Sequence, residues 1–215
     1  MEAEEGKRKF IGLEAEKRER IINAALREFV GGFKKASTDA IVREAGISKG
    51  LLFHYFGTKE GLHGFLVDYA IGVMTSEYLG LINLRQRDII ESMWQMLLLK
   101  IDLSYKYPSI FEFLAGVYSD GRSESPAFEK FGEMQEKIIG EVYANCDKSL
   151  FRGDVNADKC IEIIRWALSG YAEAQVIREG AADDYKPHYD RYLKETKEYL
   201  EIFRRCFYNE KYNRN

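Results

Sequence analysis

Apolar residues recur along this chain at the three-to-four-residue spacing of helices rather than in the alternation of strands. Ile21, Ile22, Ala25, Leu26 and Phe29 form one stripe, closed by Gly31 and Gly32. Leu62, Phe65, Leu66, Tyr69 and Val73 form a second that starts near Thr58, with no Pro/Gly-rich break after it. Residues 86–106 carry Ile89, Ile90, Met93, Trp94, Met96, Leu97, Leu98 and Ile101 around nearly the whole circumference, which predicts a central, covered helix. Pro108 separates it from a shorter helix with Ile110, Phe111, Phe113, Leu114 and Tyr118, and the polar run 119–125 predicts a loop. A further helix is predicted over 126–149, with Phe128, Phe131, Met134, Ile138 and Val142. Two long amphipathic segments close the chain, 157–179 and 186–208, and their pattern predicts an antiparallel pair across a turn at 180–185.

Between the first two stripes lies the most informative stretch, residues 37–56 (STDAIVREAGISKGLLFHYF). Ser37 and Thr38 can accept hydrogen bonds from the free N–H groups of a helix start, and Asp39 suits that positive end. Gly46 falls where a helix ends in a left-handed residue, Ile47 can plug the angle, and Ser48 is an N-cap for a second helix. Two short helices joined this tightly form a helix-turn-helix, whose second helix enters the DNA major groove with its N-terminal residues toward the bases.

The chain has 215 residues, three prolines and a formal charge of −3, and the charge is uneven. Residues 7–60 hold 12 Lys/Arg against 7 Asp/Glu, whereas residues 61–215 hold 20 against 25. A basic end on an acidic body suits docking on a polyanion through that end alone. Apolar runs fall short of a bilayer span and the start lacks a signal-peptide core, so a cytoplasmic protein is expected, with no membrane partner. Cys146, Cys160 and Cys206 are too few and too scattered for a disulfide framework or zinc finger, and are expected to be buried thiols.

The run from Ala45 through Phe56, followed by Thr58, Lys59, Glu60, Gly61 and Leu62, closely resembles the DNA-binding domain of TetR-family transcriptional regulators. Arg18, Arg20, Ile21, Ile22, Ala24, Ala25, Leu26 and Phe29 look like that family's first helix, so the resemblance covers roughly residues 15–66. It implies an all-α chain: a flexible tail over 1–14, a three-helix DNA-binding domain over 15–60, and a helical ligand-binding and dimerisation domain over 61–215. It also implies that the helix starting near Thr58 couples the two domains.

By the same resemblance, Ser48, Lys49, Gly50, Leu51 and His54 read bases, while Thr38, Tyr55, Lys59, Arg18 and Lys17, with Arg20 a further candidate, hold the DNA backbone. Lysine can donate to guanine O6/N7, hydroxyls can hold phosphates, and Gly50 permits close approach. Leu51 could meet a thymine methyl. Asp39 would be repelled by phosphate unless it caps its helix or accepts from a cytosine amine, and capping is the favoured role. The last two helices are expected to supply a dimer interface through Ile164, Leu168, Tyr171, Leu200, Phe203 and Phe207. A ligand pocket is expected among Met93, Trp94, Leu97, Phe111, Phe113, Leu114, Tyr118, Phe131 and Met134.

Other chemistry is poorly supported. His54, His63 and His188 lack metal-ligand spacing, no pair of Glu-x-x-His runs is present, and Ser48 beside Lys49 is explained by capping. The expectation is therefore a non-enzymatic, metal- and cofactor-free DNA-binding regulator. It would be a homodimer on a palindromic operator, most often a repressor in this family, released by an apolar or aromatic small molecule. The alternative is a helical protein-interaction module that has kept the fold but not operator control.

Overall fold

The helix boundaries follow from short polar signals. Ser37, Ser48 and Thr58 sit in extended backbone, each accepting a hydrogen bond from the N–H three residues on, and so start three successive helices. Gly46, at φ 65°, ends the first of them in the left-handed region that a side chain disfavours. The computed structural model describes residues 2–119, 126–179 and 189–212. Its helices are α1 (Glu2–Ile11), α2 (Ala15–Val30), α3 (Thr38–Ala45), α4 (Lys49–Phe56), α5 (Lys59–Val73), α6 (Ile89–Lys106), α7 (Ile110–Ser119), α8 (Pro126–Ala144), α9 (Ala157–Glu179) and α10 (Tyr189–Phe207). Among the described residues the sole β pairing is an isolated bridge between Phe151 and Tyr208.

The chain divides into two compact units, Met1–Leu81 with Leu99–Glu136, and Ile82–Leu98 with Lys137–Asn215. In the first, α2 buries Ile21, Ile22, Ala25, Leu26 and Phe29 against α3, α5 and α7. After α5 the helix widens into a π turn at Met74–Tyr78, a geometry that the residue pattern does not announce. Glu77 on that turn accepts hydrogen bonds from Lys106 and from the Tyr107 hydroxyl.

The expected flexible tail is instead α1. Phe10 is fully buried, its ring 4.8 Å from that of Phe56, 5.2 Å from Phe65 and 5.6 Å from Tyr55. Gly6, one turn earlier on the same face, lets the helix backbone press on α4: a Cβ there would lie 2.4 Å from the His54 carbonyl oxygen. One aromatic anchor and one glycine order a segment whose remaining residues are mostly charged.

In the second unit Asp88 caps the start of α6 and holds the end of α10. Its Oδ1 accepts from the Ile90 N–H at 3.0 Å and the Tyr208 hydroxyl at 2.8 Å, and its Oδ2 accepts from Arg204 Nη1 at 2.7 Å. Tyr208 is fully buried, and that burial, reinforced by the neighbouring carboxylate, pushes its hydroxyl pKa far up. Tyr171 of α9 stacks on Tyr192 of α10 and donates to Glu195, so the last two helices lie side by side. The expected turn at 180–185 lies outside the described residues, as does most of the expected loop 119–125.

Three expectations need correcting here. α8 stops at Ala144 rather than running to 149, because Asn145 donates to the Leu84 carbonyl, the Asp147 N–H to that of Arg87, and Asp147 caps a 3-10 turn at Lys148–Leu150. α6 is not covered all round, since hydrophobicity does not decide which face meets a neighbour: Ile89, Ile90, Ile101 and Leu103 are buried while Leu98 is exposed. Cys146 and Cys160 are buried, and burial raises both thiol pKa values, whereas Cys206 is exposed.

Candidate nucleic-acid interface

The helix-turn-helix is assembled from its caps outward. The Ser37 hydroxyl accepts from the Ala40 N–H at 3.3 Å, and the Ser37 N–H donates to Glu28 of α2 at 2.8 Å. Glu28 thus does from a neighbouring helix what the glutamate of a capping box does from within. Past Gly46 the Ile47 N–H returns to the Val42 carbonyl at 3.0 Å, and the Ser48 hydroxyl takes the Leu51 N–H at 3.1 Å. Arg20 Nε donates to the Ala45 carbonyl at 3.0 Å, and Arg27 pairs with Glu44 at 2.7 Å, tying α3 to α2. Ile41, Ala45, Leu52 and Phe56 close the core beneath.

This packing leaves one face of α4 open. Ser48, Lys49, Gly50 and His54 are exposed and Leu51 is half-buried, so four of the five expected base readers lie at the surface. Open space surrounds the missing Cβ of Gly50. Thr38 and Lys17 are half-buried on the first turns of their helices. Lys59, opening α5, lies over the Phe33 ring at 4.7 Å and the Phe29 ring at 6.0 Å, so its ammonium is held at a defined place on the surface.

Three expected roles change. Tyr55 is buried under Phe10, which takes its ring off the exposed surface where a phosphate contact was expected. Arg18 Nη1 donates to the Ile11 and Leu13 carbonyls at 3.0 and 3.1 Å, satisfying the C-terminal end of α1. Asp39 does not cap α3, a task that Ser37 performs; both of its carboxylate oxygens meet Lys49 Nζ, at 2.9 and 3.0 Å.

The sequence reading missed α1 as part of this site. Glu5, bonded to Lys9 at 2.8 Å, has its carboxyl pKa lowered chiefly by that lysine, with a minor contribution from His54. The Glu5–Lys9 pair therefore borders the recognition helix. The Gly6 and Phe10 spacing was the available signal.

Of the remaining candidates, Phe113 and Leu114 are buried in the first unit, where Phe113 packs on Phe29 and on His63. His63, in the single Glu-x-x-His run, is ringed by Phe29, Phe33 and Phe113 at 5.1 to 5.5 Å. Phe131 is buried and Phe111 and Met134 half-buried, whereas Tyr118 is 72 % exposed, contrary to a pocket-lining role, because it points off the covered face of α7. Met93, Trp94 and Leu97, half-buried, belong to the second unit. Among the interface candidates Ile164 and Leu200 are buried within their own chain, and Leu168, Tyr171, Phe203 and Phe207 are half-buried. Among the described residues, the large apolar side chains exposed on α9 and α10 are Ile163, Trp166, Tyr199 and Ile202. Among the described residues there is no cluster of three His, Cys, Asp or Glu that could hold a metal, and no helix is long and apolar enough to cross a membrane.

The fold is shared with solved regulators. A ketosteroid transcriptional regulator, KstR2 of Mycobacterium tuberculosis, superposes with a TM-score of 0.57 at 14 % identity, covering 92 % of this chain and 97 % of that one. A TetR family transcriptional regulator from Chloroflexus aurantiacus gives 0.55 at 17 %, covering 94 % and 98 %. An ArpA-like gamma-butyrolactone receptor gives 0.53 at 19 %, covering 92 % and 91 %. No curated protein matches the chain in sequence. Residues 21–63, from the buried stripe of α2 through the recognition helix to the start of α5, match the family described as bacterial regulatory proteins, tetR family. Residues 21–63 thus carry the helix-turn-helix domain of the tetR family of bacterial regulatory proteins, and the all-helical fold of the chain is that of solved TetR-type regulators.

Proposed function

We propose that the protein is a homodimeric, sequence-specific DNA-binding repressor with no catalytic activity, released from a palindromic operator by a small apolar or aromatic ligand. The observation that carries the reading is the capped helix-turn-helix within the family match, with Lys49, Gly50 and His54 exposed on α4. Residues 15–60 read DNA and residues 61–215 bind ligand and pair. Two of the similar regulators are named for a ketosteroid and a gamma-butyrolactone, both uncharged small organic molecules and the first largely apolar, which supports a small organic ligand. Ligand binding favours one of two shapes by its differential affinity, with α5 as the coupling helix.

The test is DNA binding across a salt series. A dimer neutralising on the order of 6–10 phosphates loses roughly three or more decades of affinity between low and moderate salt. Absence of binding at low salt sinks the regulator and leaves an interaction module. Lys59→Ala weakens binding on all sequences about equally and lowers the salt slope by about one per subunit, whereas Lys49→Ala or His54→Ala also shifts sequence preference. Unchanged binding in all three variants overturns this docking face.

A further inference from the structure

We propose that Asp39 and Lys49 act together as a two-residue reader of one G·C base pair in each half-site, Lys49 donating to guanine and Asp39 accepting from the cytosine N4 amine. The proposal rests on the DNA-binding reading above and deepens it at one pair of residues.

Asp39 lies in the first turn of α3 and Lys49 opens α4, so the pair bridges the two helices of the motif on its open side. Asp39 has no capping duty, since Ser37 takes the Ala40 N–H. Its side chain is 72 % exposed and that of Lys49 is 49 % exposed. An ion pair this open contributes little to stability, and what the positive end of α3 adds to a carboxylate this exposed is modest. On a surface that approaches phosphates, such a carboxylate is unfavourable unless it meets a donor.

The major groove supplies that donor beside an acceptor. Guanine O6 and cytosine N4 are hydrogen-bonded to each other and so lie about 2.9 Å apart. That spacing matches the 2.9 and 3.0 Å between Lys49 Nζ and the Asp39 oxygens. The ammonium can face O6 and N7 while the carboxylate faces N4, and the ion pair need not break. The carboxylate in turn holds the lysine at one point, removing much of the rotamer freedom that makes lysine a poor discriminator. An A·T pair places its N6 donor on the purine, opposite the ammonium, and a reversed C·G pair exchanges the two contacts. The reader is therefore selective for both composition and orientation.

The experiment is site selection from a randomised duplex pool with the full-length protein, Asp39→Ala, Lys49→Ala and the double variant, followed by affinities on the selected site and its single-base-pair changes. The wild type is expected to select one oriented G·C pair per half-site and to reject A·T there by about tenfold or more. Asp39→Ala keeps the rest of the site, loses most of that rejection and binds unrelated DNA more tightly, because a negative charge has gone. Lys49→Ala relaxes the same position, and the double variant relaxes it no further. A wild type that selects a site while Asp39→Ala retains every preference overturns the reader alone. A wild type that binds no DNA at low salt overturns the reader together with the regulator. Unchanged unfolding midpoints keep either result from being a folding artefact.

Discussion

Replacing Phe10 with alanine destabilises the first compact unit by about 3–5 kcal/mol, an effect that sequence comparison alone would not assign to a residue outside the matched span 21–63. The side chain is fully buried and contacts three aromatic rings, so truncation removes both its own transfer energy and edge-to-face contacts worth roughly 0.5–1.5 kcal/mol each. A ten-residue helix is not stable alone in water, so α1 leaves α4 when its anchor goes and exposes Tyr55, Phe56 and Phe65. Operator affinity falls with it, because the last turn of the recognition helix loses its brace. Gly6→Val reaches the same end by another route. A Cβ at that position would lie 2.4 and 2.7 Å from the His54 and Tyr55 carbonyl oxygens, and neither backbone atom can rotate away. Denaturant midpoints and amide exchange over α4 measure both variants against Ile11→Ala, whose side chain is exposed and whose loss is nearly silent. A Phe10→Ala midpoint equal to that of Ile11→Ala would remove α1 from the domain's architecture.

The contrast between α1 and α3–α4 marks what kind of information a sequence displays. Ser37, Gly46, Ser48 and Thr58 act within three or four residues of themselves, so their spacing alone announces the caps and the turn. Phe10 acts on residues some 45 to 55 positions away, and nothing local says that a lone phenylalanine among charges is an anchor. Tyr55 shows the consequence: a backbone contact was expected of it without α1 in view, and its ring is buried with Phe10 packed against it. Asp39 is a milder case. A carboxylate early in a helix suits capping, and only the placement of α4 reveals that Lys49 competes for it.

The end of α8 and the π turn after α5 were hidden for a related reason. At Asn145 and Asp147, side-chain and backbone bonds to residues some 60 positions earlier outweigh the continuing apolar pattern. At Met74–Tyr78 the widened turn is accompanied by Glu77 reaching Tyr107 and Lys106 across about 30 positions. Periodicity reports how much apolar surface a helix carries, and these distant bonds decide where the helix stops or changes pitch.

On the proposed pairing, Trp166→Glu combined with Ile202→Glu is expected to give a folded monomer whose operator affinity is lower by about 10²–10⁴, the factor that linking two half-site contacts contributes. The apolar stripe of α9 includes buried Ile164 and exposed Ile163 and Trp166, and that of α10 includes buried Leu200 and exposed Tyr199 and Ile202. Helical spacing predicts all of them as apolar and cannot say which meet their own chain. Burial divides them: Ile163 and Trp166 stand three residues apart on α9, as do Tyr199 and Ile202 on α10, and all four are exposed. Exposed Ala167 and Gly170 on α9 would let a second helix approach closely. A patch this apolar is costly in water unless a second copy covers it, and a two-fold axis covers both copies at once. Charges at Trp166 and Ile202 therefore cost little in the monomer and a great deal in the dimer. Charges at Ile164 and Leu200 do the reverse, unfolding the unit before pairing can be assayed. Sedimentation velocity separates the cases, and a persisting dimer in the Trp166/Ile202 variant, at an unchanged unfolding midpoint, places the pairing surface elsewhere.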